Sequence, residues 1–194
     1  RPETGKMPKE VVVSSRQLGK SALIEPRLAG VGPFPQDLRA EHGFDNRGDH
    51  LSLSPMLMEA FFKLGRRIVQ SPNFDKRFVG IWQEFFVPPG KAAQLDEEVR
   101  RRLETFLGRA FRRPAEKDVL DRYVGHVTGQ VKSGKPFTEA MKEVVSAVLA
   151  SPHFLYLYDK PAGGGKIEPL NGYELASRLS FFLWGSIPDD KLLE

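Results

Sequence analysis

The chain has 194 residues, 40% hydrophobic and 28% charged, with a formal net charge of +4. That length holds one ordinary domain or two small ones, and the composition is globular rather than disordered or fibrous. Cysteine is absent, which excludes disulfides, thiolate metal sites, iron–sulfur clusters and haem attachment through C-x-x-C-H. The redox compartment stays open, and no apolar run approaches the ~18 residues of a membrane span.

The chain opens on Arg1 with no charged-then-apolar leader, so this end is expected to be a processed one or a cut in a longer protein. Residues 1 to 35 carry prolines at 2, 8, 26, 33 and 35 and a short run, "VVV", at 11 to 13. They predict an irregular segment wrapped over other elements, with at most a short helix from Ser14 to Ile24.

The first strong element is "SPMLMEAFFKLGRRIVQSP". Ser54 is an N-cap, and Pro55 suits the first helical position, where its missing N–H has no partner to lose. Leu57, Phe61, Leu64 and Ile68 keep helical spacing, so a largely buried helix is expected over 55–70. Met56 and Met58 read as gap-filling core rather than haem ligands.

After "VPPGK", Asp96 caps a helix over 96–112 with Val99, Leu103, Phe106, Leu107 and Ala110 inward. Its arginines, 100 to 102, 109, 112 and 113, are interleaved with Glu97, Glu98 and Glu104. They read as a solvated face complementing the helix dipole rather than a nucleic-acid site. Pro114 opens a helix over 115–132 with Leu120, Tyr123, Val124, Val127 and Val131 inward. A third spans 137–150 on Phe137, Met141, Val144, Val145 and Val148, and the short loops make neighbours antiparallel.

"EAFFKLGRRIVQSPNF" at 59 to 74 is echoed by "EAMKEVVSAVLASPHF" at 139 to 154. Both read as a helix stopped by Ser-Pro with a Phe folding back, a common terminator that does not require duplication. "PAGGGK" at 161 to 166 is a linker and lacks the spacing of a phosphate loop. Asn171 then caps a helix over 172–184 with Glu174 in the reciprocal position, and Leu175, Leu179, Phe182 and Leu183 are expected inward. "GSIPDDKLLE" starts one more helix with about a turn to run, so the chain reads as a piece of something longer.

The expected fold is mainly α, bundle-like, with a long irregular N-terminal segment. The expected division is 1–90, the irregular segment with the Ser-Pro-capped helix; 91–160, a three-helix region; and 161–194, a linker and the truncated start of a further helical domain. Phe61, Leu64, Phe106, Leu107, Val124, Val145, Leu179 and Phe182 are expected to be buried.

"GFDNRGDHLSLSP", "FLGRAFRRP" with "SPHFLY" behind it, and "YELASRLSFFLWGSIPDD" together resemble successive segments of planctomycete-type multidomain proteins, in which uncharacterised helical domains accompany cytochrome c domains. The resemblance covers roughly residues 41 to 194 in order. It implies an exported, periplasmic protein with neighbouring domains of the same polypeptide as partners and c-type haem elsewhere. It carries no established reaction, and with no C-x-x-C-H here any such haem lies outside this piece. The oligomeric state is not set by the sequence.

"EHGFDNRGDH", Glu41 to His50, is the densest polar stretch. Asp45 and Asn46 can bond their own downstream backbone, and Gly43 and Gly48 permit positive φ, which gives a compact turn. Asp45, Asn46 and Asp49 could instead offer oxygens to Ca²⁺, although the EF-hand spacing fails. His42 and His50 allow zinc or haem iron, with no geometry fixed. The candidate metal residues are therefore His42, Asp45, Asp49 and His50. His126 and His153 read as packing residues, and no G-x-S-x-G supports a nucleophilic hydrolase.

Two functions follow as expectations: a non-catalytic helical scaffold in an exported redox protein, or a polysaccharide-acting or metal-dependent enzyme domain with its site near Glu41 to His50. If the stretch is only a turn, Asp45→Ala lowers stability and leaves metal content unchanged. Elemental analysis finding stoichiometric metal that disappears with Asp45 and Asp49 would establish the site instead.

Overall fold

A computed structural model of the chain describes residues 54–90, 94–157 and 169–193. The short helix expected from Ser14 to Ile24, the turn at Glu41 to His50 and the linker at 161 to 166 lie outside the described residues. Helix is the dominant structure and no strand occurs among the described residues.

Helix α1 is Pro55–Val69, α2 Trp82–Phe85, α3 Leu95–Phe111, α4 Lys117–Lys132 and α5 Phe137–Leu149. A single turn α6, Pro152–Leu155, precedes α7, Gly172–Trp184, and α8, Asp190–Leu193. α3, α4 and α5 pack in succession, α1 lies against α5, and α6 fills the end of the bundle against α3 and α5. The core joins Val99, Leu103 and Leu107 of α3, Val124 and Val127 of α4, and the Phe137 to Val148 face of α5.

The N-terminus of α1 is built as expected: Ser54 Oγ accepts from the Leu57 N–H at 3.1 Å and Pro55 stands in the first turn. Leu57 and Val69 are buried, but Phe61, Leu64 and Ile68 are half-buried and Met56 and Phe62 are exposed. The expectation of a largely buried helix is therefore corrected, because α5 covers only one side of α1. Contact is closest at Gly65, where a Cβ would stand 2.8 Å from the Ser146 carbonyl oxygen of α5.

Asp96 is not the cap of α3. The helix starts one residue earlier, Gln94 holds the cap position without a side-chain bond, and Asp96 pairs with Lys132 Nζ at 3.3 Å. Acids in the first turn serve the helix dipole without capping it. α3 ends on Arg112 at φ 59°, a left-handed closure without glycine, and its last carbonyls are met by the N–H groups of Arg112 and Arg113. That closure delays α4 to Lys117, past the Pro114 start.

The inward residues expected on α5 are all buried, and those on α3 and α4 are buried or half-buried. The Ser-Pro echo has one geometry in both copies. Ser71 and Ser151 each accept from the N–H two residues on at 3.3 Å, and the N–H groups of Phe74 and Phe154 each bond the serine carbonyl at 2.9 Å. Both phenylalanines then pack on the core.

α7 departs most from expectation. Its capping box is formed, with the Glu174 N–H to Asn171 Oδ1 at 2.9 Å and the Asn171 N–H to Glu174 Oε2 at 3.0 Å. Its apolar face, however, is turned outward: Leu175 is 56% exposed, Leu179 40%, Phe182 85% and Leu183 55%. The side against the bundle is small and polar, with Glu174, Ala176, Ser177 and Ser180 buried. The burial expected for Leu179 and Phe182 is corrected accordingly; α7 docks on polar groups at the end of α3 and α6, which a broad apolar face would leave unbonded.

Gly65→Ala is expected to destabilise the protein by about 1–3 kcal/mol, because the carbonyl at the crossing is backbone and α1 must back away from α5. Chemical denaturation of the variant checks this, and an unchanged midpoint would show that the two helices cross more loosely.

Candidate functional site

The metal residues expected from the sequence, His42, Asp45, Asp49 and His50, lie outside the described residues. Among the described residues, no group of three or more His, Asp and Glu side chains gathers as a metal site. Chemistry-bearing groups gather instead at two places, a polar groove between α4 and α5 and the junction of α3, α6 and α7.

The groove has a volume of about 490 Å³ over a floor of Val119, Val144 and Ala147. The antiparallel pairing of α4 with α5 brings residues distant in sequence to its rim. His126 Nε2 lies 3.5 Å from Glu143 Oε2, and Lys135 Nζ bonds Glu143 Oε1 at 2.8 Å. Lys135, and secondarily His126, hold the Glu143 carboxyl below its usual range, so it is an anchored anion and a poor proton acceptor near neutrality. Burial pushes the Tyr123 phenol up, and it shares a hydrogen bond with Ser151. His153, also at the groove, packs its ring 5.2 Å from that of Phe111. The structure thus turns His126 to the rim, against its reading as a packing residue, while His153 keeps the packing role.

At the junction, the Arg112 guanidinium is buried, the residue being only 3% exposed. It donates to the carbonyls of His153 (2.9 Å), Phe154 (2.9 Å) and Tyr156 (2.6 Å), and more weakly to Ala110 (3.3 Å). Burial pushes this guanidinium down from its ordinary value, with Arg113 adding to the effect, yet arginine keeps its charge. The ring of Phe181 of α7 lies 5.9 Å from the guanidinium carbon, and Arg113 reaches the buried Glu174 at 3.7 Å.

A second arginine works in the same manner on the other side of α3. Arg102 donates to the carbonyls of Phe85 (3.1 Å) and Val87 (2.6 Å) and bonds Glu98, whose carboxyl is held down at about 2 by Arg101 and Arg102. Arg100 pairs with Asp121 at 2.6 Å and Arg109 with Asp190 of α8. The arginine cluster is therefore not merely a solvated face: two of its members terminate other segments of the chain. The sequence shows only that this helix has to stop before Pro114; Gln70 and Ala150, ahead of the Ser-Pro stops, close right-handed, so the left-handed close at Arg112 was not legible.

Both Arg112→Ala and Arg112→Gly are expected to lose the clasp and about 2–4 kcal/mol of stability. Glycine should be the milder by roughly 1 kcal/mol, since it relieves the left-handed backbone that alanine retains. Equal losses in denaturation would mean that φ at 112 is not strained.

Three family models match parts of the chain, each described as a protein of unknown function. Residues 23–71 match PSD3 (DUF1587), 98–159 match PSD5 (DUF1595) and 170–194 match PSD4 (DUF1592). No curated protein and no solved structure matches it. α3 to α6 thus fall mostly in the PSD5-like segment, while α7 and α8 fall in the PSD4-like one, and the chain carries the three segments in the order PSD3, PSD5, PSD4.

Proposed function

We propose that this chain is a non-catalytic helical scaffold within an exported redox protein, whose c-type haem domains lie elsewhere in the same polypeptide. The observation that carries the scaffold reading is the outward apolar face of α7, made by Leu175, Leu179, Phe182 and Leu183. Contiguous exposed apolar surface marks a docking site for a protein or another domain. Arg112 beside it, and Arg102 and Glu98 on the other side of α3, serve structure, their charges met by carbonyls and by each other.

The redox and export parts of the reading are supported by the resemblance of "GFDNRGDHLSLSP", "FLGRAFRRP" and "YELASRLSFFLWGSIPDD" to proteins that also carry cytochrome c domains. With no cysteine thiols, a thioether-linked haem has to be attached outside this chain. Among the described residues no helix is long and apolar enough to cross a membrane. The neighbouring domains of the polypeptide are the partners that the α7 face would serve.

The test expresses residues 1 to 194 in a host that matures c-type cytochromes and applies a pyridine haemochrome assay together with binding of an apolar dye. A colourless, folded protein that binds dye, and loses most of it on Phe182→Glu, is the expected result. A stoichiometric Soret band or turnover of a substrate by this chain alone would overturn the reading.

A further inference from the structure

α7 repeats α3. Glu98, Arg102, Leu103, Phe106 and Leu107 recur at one constant spacing as Glu174, Arg178, Leu179, Phe182 and Leu183. After a short deletion, Pro114 and Lys117 before and at the start of α4 recur as Pro188 and Lys191 at the start of α8. Each helix also follows a Ser-Pro-x-Phe turn, the two turns having the same hydrogen bonds.

The correspondence holds in part in space. α3 presents Glu98, Arg101 and Arg102 to the segment around Ile81, Glu84 and Phe85 that follows the first turn. α7 presents the matching positions, Glu174, Ser177 and Arg178, to His153 within the second turn, to Leu157 just after it, and to the end of α3 at Phe111 to Arg113. The two helices differ in which side is covered: Ala176, Ser177 and Ser180 are buried where Arg100, Arg101 and Glu104 of α3 are exposed. Leu103 and Leu107 are fully buried in the core shared with α4 and α5, whereas Leu179 is 40% and Leu183 55% exposed.

We propose that α7 and α8 open a second helical unit in the register of α3 and α4, and that the bare face of α7 seats the helix begun by α8. That helix would run on past Leu193 in the same polypeptide, lie along α7 as α4 lies along α3, and be backed by a further helix in the place of α5. The occupant is chosen by the register: α8 stands where the first turn of α4 stands, and it already touches α7. Its inward side should carry aliphatic residues at the helical spacing of Leu120, Val124 and Val127, which are buried in the α3 and α4 core. The register does not depend on haem domains lying elsewhere.

The test extends the 194-residue chain by replacing Leu192 to Glu194 with a copy of residues 118 to 149, which sets Lys191 in the place of Lys117. Trp82→Phe and Trp184→Phe remove the only two tryptophans of the chain, and Leu183→Trp sets a reporter at the position that matches the buried Leu107. Its emission should shift to the blue and its quenching by acrylamide should fall severalfold. The protection should vanish with Leu179→Glu, or when the same copy is entered two residues out of register. An extension that turns helical while this reporter stays quenchable overturns the proposal. So does one that stays unstructured, because a seat equivalent to α3 supplies the contacts that order α4 and α5. Light scattering on the unextended chain gives the remaining arm: a dimer with the reporter already shielded would make a second copy the occupant and reject the register.

Discussion

The buried guanidinium of Arg112 is the constraint on which the C-terminal half of the molecule depends. It ties the end of α3 to the carbonyls that close α6, across about forty residues of chain, and places a charge beside Phe181 of α7. Removing such a charge from water is costly unless its donors are satisfied, and carbonyls at the end of a helical turn carry the partial negative charge that suits them. The left-handed backbone at the same residue makes α3 stop there. One residue therefore ends α3, caps α6 and aims the chain toward α4.

Periodicity made the helices legible because the hydrophobic effect selects which residues share a face. It does not select which way that face turns. For α3, α4 and α5 the two questions have one answer, since each touches the next and the apolar side has only the core to meet. For α7 they part company: its Glu174 and Ser177 side is needed against Arg113 and His153, and the leucine side is left outward. Asp96 shows a smaller version of the same gap. An acid in the first turn of a helix has the right charge whether or not it caps, and only the geometry at Gln94 separates the cases.

The polar groove was hidden for a different reason. Tyr123 and His126 come from α4, Glu143 from α5 and Ser151 from the turn beyond it, so their meeting depends on how two helices cross rather than on local spacing. Sequence favoured Glu41 to His50 because its polar groups are contiguous, which is a statement about turn chemistry and composition. The echo of Ser-Pro-x-Phe was legible as local chemistry. Its larger meaning lies in the helices that follow the two turns, which share one residue spacing while one has its leucines covered and the other does not.

The Arg112 clasp also bears on how the molecule responds to heat. Hydration of a charged group has a strongly negative entropy, so water's hold on a guanidinium weakens as temperature rises, whereas burial of apolar side chains gains little more. A junction fastened by a desolvated cation and several carbonyls should thus keep its strength on warming better than the contact of α1 with α5, whose buried side chains on α1 are the apolar Leu57 and Val69. Heating would then loosen α1 from α5 first, with α3 and α6 parting last.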